Sequence, residues 1–183
     1  MSAILASLTH VLSPRVVDEI GTATGLEREL VSRGMRVVVP MVVTTLAHRS
    51  AAADDLDTLM HVLPRDGLAS ARRTITNLPH GDRAAATVRS WIFGSGAAAV
   101  AGTVDRSLGF KASPLLDLAG PLVLGLIAQL AYERSLDADG VREVLILDSV
   151  EFQETGGESV RLVREALDAG RQATAAATRA DLS

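Results

Sequence analysis

Four histidines, no cysteine and one serine set between glycines make up most of the chemistry open to this 183-residue sequence. His10, His48, His61 and His80 lack the i, i+4 pairing and the HExxH pattern that would hold zinc. Each reads more simply as a surface or hydrogen-bonded imidazole. Without cysteine there are no disulfides, thiolate ligands or thiol nucleophiles. Ser95 stands in Gly94-Ser95-Gly96, but a nucleophile elbow needs wider glycine spacing and a strand before it. The triplet is expected to end one helix and start the next. Lys111, the only lysine, follows no glycine run, so no phosphate-binding loop is present. Asp54, Asp55 and Asp57 look like a carboxylate cluster, yet acids in a first helical turn satisfy free amides and complement the helix dipole. Asp137 and Asp139 repeat that device. The expectation is a protein without catalysis, metal or cofactor.

The elements that position these residues read as helices. Ile4, Leu5, Leu8, Val11 and Leu12 recur at spacings of three and four, one face of a helix. Ser13 and Pro14 open the next helix and Gly25 closes it. Residues 17–63 and 99–146 then share landmarks in the same order. A short helix ends at Gly25 or Gly109, followed by Leu26 or Phe110. An apolar run begins at Pro40 or Pro121, an Asp-containing break follows, and a short helix ends the unit. The two copies are offset by 84 residues at the glycines and 81 at the prolines. The β-branched run at residues 37–43 resembles a strand, but its counterpart after Pro121 does not, and proline is disfavoured inside a central strand. Both runs are read as helical, with extended structure the alternative for residues 37–43.

Organisation follows: a first helical repeat at 1–63, a basic connecting segment at 64–90, a second repeat at 91–154, and a C-terminal helix and tail at 155–183. In the last part Val160, Leu162, Val163, Ala166, Leu167 and Gly170 give a short amphipathic helix. The Ala/Thr-rich tail from Arg171 is expected to fray. The fold class is all-α: two related multi-helix repeats packed together, with a C-terminal amphipathic helix.

Composition narrows the function classes. The chain is 48% hydrophobic but only 3% aromatic, which excludes disorder as the main state and disfavours base-stacking surfaces. Arg28, Arg33 and Arg36 are interspersed with Glu27 and Glu29, and the net charge is −4, so nucleic acid is not an expected partner. The first cation is Arg15, so no basic segment precedes the N-terminal apolar residues, and no secretory signal is expected. The longest uncharged apolar stretch, residues 118–132, falls short of the ~20 residues of a membrane span. A cytoplasmic protein without a membrane span is expected. Charge is segregated: residues 1–63 carry −2, residues 64–111 carry +4, and residues 112–183 carry −6. Such asymmetry suits contact between identical chains, including a head-to-tail one.

Trp91-Ile92-Phe93-Gly94-Ser95, followed by AAAVAGTVDRSLGF and LLDLAGPLVLGLIAQL, resembles the YidB-like bacterial family of unknown function. The first copy, GLERELVSRGMRVVVPMVVTTLA, resembles the same pattern more loosely. The departure is Met41-Val42-Val43-Thr44-Thr45, where the family usually has Leu and Gly. The likeness spans roughly residues 15–150. It implies an all-α bacterial protein without established catalysis, and it supplies no active-site residues. The functional expectation is a structural or interaction module that self-associates into a homo-oligomer or polymer. Its candidate contact residues are Arg72, Arg73, Trp91, Ile92, Phe93, Val160, Leu162, Val163 and Leu167. The alternative is a binder of an apolar small molecule or lipid between the repeats, which an unfilled aliphatic cavity would favour.

Overall fold

A computed structural model describes residues 3–77 and 83–181, apart from the side chains of Thr9, Ser70, Asn77 and Asp181. His80 lies outside the described residues. Those described form α-helices α1 (Ala3–Val11), α2 (Pro14–Thr24), α3 (Arg28–Arg49), α4 (Ala53–Val62), α5 (Leu68–Asn77) and α6 (Arg83–Phe93). A 3-10 turn at Gly94–Gly96 leads into α7 (Ala97–Leu108), α8 (Ser113–Arg134), α9 (Ala138–Thr155) and α10 (Glu158–Asp181). No strand occurs among the described residues.

The run at residues 37–43 is helical, buried along its whole length within α3. Valine gives up only a few tenths of a kcal/mol of helix propensity, which burial on all sides offsets. Pro40 and Pro121 both lie inside helices of 22 residues. Each proline lacks the amide that would bond to the carbonyl of Arg36 or Asp117. Their burial shows that tertiary packing, not local hydrogen bonding, keeps these segments helical.

Helix α8 is the centre of the molecule. It packs against α1, α3, α5, α6, α7 and α9, and almost all of it from Leu115 to Ile127 is buried, as befits a helix apolar all round. Glycines let neighbours come close. A Cβ on Gly125 would lie 2.9 Å from the Gly67 carbonyl oxygen, and one on Gly120 would lie 2.7 Å from Val88. Helices α3 and α8 both have the length and hydropathy of a membrane span, but 67% and 72% of their most apolar stretches are buried inside the protein.

Several expectations change. Residues 64–90 are no mere connection: α5 and α6 both pack on α8. Arg89 on α6 also pairs with Asp117 on α8 at 2.7 Å. The C-terminal helix continues past Arg171 to Asp181. Ser13 stands at the N-cap of α2 without making a capping hydrogen bond. Asp54 and Asp55 lie in the first turn of α4, but the Asp55 side chain pairs with Arg49 and caps no amide, while Asp137 does cap α9 by accepting from the Gly140 amide at 2.9 Å. Gly25 and Gly109 close α2 and α7 in left-handed conformation, with φ of 71° and 76°.

Two acids cap helices from afar. Asp148 on α9 is 1% exposed, and its carboxylate accepts the amides of Ala3, Ile4 and Leu5 at 2.6, 2.6 and 3.1 Å. It thereby holds the first turn of α1 against the core. Asp105 on α7 likewise accepts the amides of Ala112 and Ser113 at the start of α8, at 2.7 and 2.8 Å.

Candidate interaction site

The C-terminal turns of α3 contribute Thr44, Thr45, His48 and Arg49 to one wall of a groove of about 660 Å³. Helices α9 and α10 form the facing walls. Ile92 and Phe93 from α6, with Val100 from α7, complete the lining. The volume is that of a small-molecule or side-chain receiving site. The groove shares Thr44, Gln153, Leu167 and Arg171 with an adjoining hollow of about 180 Å³ walled by Phe152, Val160 and Val163.

Helix α9 is apolar on two faces. Val141, Leu145 and Phe152 point into the core at helical spacing. Ile146, Leu147 and Val150 face outward and remain 43%, 55% and 48% exposed. Ile146 and Val150 form the lip of the groove. Three large aliphatic side chains side by side on a surface mark a contact region.

Helix α10 closes the groove by approaching the Gly94–Gly96 turn. A Cβ on Gly96 would lie 2.8 Å from the Gly170 carbonyl carbon and 2.9 Å from its Cα, so this crossing depends on bare backbone at Gly96. The Ser95 hydroxyl donates to Thr174 at 3.2 Å. That serine therefore fastens α10.

One end of the groove is fixed by Arg49. Its guanidinium donates to Asp55 at 2.7 and 3.2 Å, donates to the Trp91 carbonyl, and lies 4.9 Å from the Trp91 ring centroid. The hydrogen bond from Arg49 holds the Asp55 carboxyl below its ordinary value, against a smaller opposing effect of desolvation. Arg49 thus joins α3, α4 and α6, and the cation–π contact orients Trp91.

The structure brings two separately predicted groups together. Ile92, Phe93 and Leu167 line the groove, Val160 and Val163 line the adjoining hollow, and Trp91 stacks at the groove's end. Ile92, Leu162 and Val163 are nonetheless buried in the chain's own core, which leaves them little surface to offer a partner. They are corrected to core residues: Ile92 lies on α6, which packs on α8, and Leu162 and Val163 lie on the face of α10 that packs on α3 and α7. Arg72 and Arg73 lie elsewhere, exposed on α5; Arg73 pairs with Asp66 at 2.5 Å and lowers its pKa by that hydrogen bond. The sequence reading missed Thr44, His48, Ile146 and Val150. A second apolar stripe at Ile146, Leu147 and Val150 was the available signal.

His10, His48 and His61 sit exposed on α1, α3 and α4, and His61 Nδ1 bonds only within its own helix, to the Asp57 carbonyl at 2.8 Å. Among the described residues no three His, Cys, Asp or Glu side chains are grouped to hold a metal ion.

The molecule is thus an all-helical protein whose distinctive surface is an apolar groove with an aliphatic lip. The chain belongs to DUF937, a family of bacterial proteins of unknown function that includes YidB; the family model matches residues 6–129. The match ends within α8, so the groove is built half from the family region and half from α9 and α10 beyond it. No curated protein and no solved structure matches the chain.

Proposed function

We propose that the protein is a non-catalytic interaction module that self-associates, the aliphatic lip of α9 from one copy seating in the groove of another. The observation that carries this reading is the exposure of Ile146, Leu147 and Val150 beside the groove. A ridge next to a cleft on one surface is self-complementary. Under a two-fold axis, each ridge enters the other chain's cleft, as an isologous interface requires. Burying such half-exposed aliphatic side chains contributes roughly 25 cal/mol per Å² of apolar surface. The segregation of charge, +4 over residues 64–111 and −6 over residues 112–183, supports a different geometry of self-association, a heterologous head-to-tail contact that propagates as a polymer.

In this reading α2–α4 and α7–α9 are two copies of one helical unit. Each has a left-handed glycine, a 22-residue helix with an inner proline, and a following helix with acids in its first turn. The proposed setting is the bacterial cytoplasm, supported by the burial of most of both span-length helices within the chain.

Light scattering over a range of protein and salt concentrations tests the reading. The expected result is an oligomer that Leu147→Glu or Val150→Asp converts to monomer with unchanged thermal unfolding. Wild-type protein that stays monomeric throughout would overturn it. An oligomer insensitive to salt selects the apolar two-fold contact over the charged head-to-tail one.

A further inference from the structure

A second cavity, of about 390 Å³, lies away from the groove, between the α1–α2 junction, α5 and α8. Ile20, Leu118 and Leu122 form buried parts of its wall, and Val11, Leu12, Val16 and Ile75 line it while only half-buried. A hollow lined by aliphatic groups forfeits dispersion contacts that an apolar occupant would restore. Its volume lies within the range of small-molecule sites.

The polar lining is one-sided in charge. Among the described residues, Arg72 and His10, both exposed, are the ionisable ones in the lining, and no Asp or Glu belongs to it. Arg72 has no ion-pair partner among the described residues, whereas its neighbour Arg73 is paired with Asp66. The nearest acids on α2, Asp18 and Glu19, are engaged by Arg28 and Arg15. An aliphatic hollow with an unpaired guanidinium in its lining is complementary to one alkyl chain ending in an anion.

We infer that this cavity binds a single-chain amphiphile with a carboxylate head, a long-chain fatty acid, with the chain against Val16, Leu118 and Leu122 and the carboxylate at Arg72. The inference is independent of self-association, since the groove and the α9 lip share no residue with this cavity.

Calorimetric titration with laurate and, in parallel, with dodecanol, both below their aggregation thresholds, tests it. One laurate should bind per chain, and dodecanol should bind roughly tenfold or more weakly for want of the charge-assisted hydrogen bond. Arg72→Gln, an exposed substitution, should erase that difference. Val16→Phe should fill the hollow and abolish both; if it fails to fold, Ala69→Phe at the exposed rim serves the same purpose. Leu147→Glu should leave laurate binding intact. No laurate binding, equal affinity for laurate and dodecanol in the wild type, or binding that survives a folded cavity-filling variant would each overturn the inference.

Discussion

Helices α3 and α8 use the same local device and end in different roles. Both have 22 residues, both carry a buried proline near their middle, and both follow a helix closed by a left-handed glycine. Helix α8 is enclosed by α1, α3, α5, α6, α7 and α9 and has little surface to give. Helix α3 packs against α2, α6, α8, α9 and α10, yet Arg33, Arg36 and His48 reach solvent. Its last turns form a groove wall. The lesson is that an apolar helix with a tolerated proline is a building part whose role is set by what surrounds its ends.

That contrast can be broken most forcefully at the glycines. In α8, Gly125→Val would drive a side chain into the backbone of Gly67 and Leu68, which cannot yield without moving α5. A loss of about 3 kcal/mol in urea unfolding is expected. Next comes Asp148→Ala, which leaves the first amides of α1 without their carboxylate and loosens a helix that packs on α8 and α9. The expected loss is about 2 kcal/mol, with hydrogen-exchange protection lost first in α1.

On the α3 side the effects shrink. A Cβ at Gly34 meets chiefly the tip of the Leu115 side chain, which can turn away. Gly34→Ala should therefore change stability by less than about 1 kcal/mol, the gain in helix propensity offsetting repacking. A loss as large as that of Gly125→Val would erase the distinction between the helices.

The smallest effect belongs to the Arg49–Asp55 pair, which is partly exposed and screened by solvent. Because Arg49 lowers the Asp55 pKa in the folded state, the contribution is present at neutral pH and above the ordinary carboxylate value. It is lost as pH falls through the depressed folded value. Comparing urea midpoints at pH 7 and at acidic pH should show a slightly smaller acid loss for Asp55→Asn, by less than about 1 kcal/mol.

Much of the scaffold was legible because it depends on near neighbours in sequence. The spacing from Ile4 to Leu12 gives α1, Gly25 and Gly109 end their helices, Asp137 caps α9, and Gly94-Ser95-Gly96 separates α6 from α7. The connecting segment is weakly periodic by itself, so its sequence leaves linker and weak helix both open; packing on α8 secures α5 and α6. The site was half legible. Phe93 and Leu167 are among the candidate contact residues read from the sequence, but the sequence could not show that they meet, since the Gly96–Gly170 crossing that joins them spans over seventy residues.

The sequence by itself determined an all-helical chain, its helix ends, the absence of cysteine chemistry and the aliphatic character of its core, because propensity, capping and composition act locally. Only the tertiary structure decided which apolar residues remain outside. It buried Ile92, Leu162 and Val163 in the core, left Ile146, Leu147 and Val150 on the lip, and sent Asp148 from α9 to hold α1. The physical reason is that burial and long-range capping depend on which faces meet. An apolar stripe on a helix states that it seeks a partner, and close packing settles whether that partner lies within the same chain.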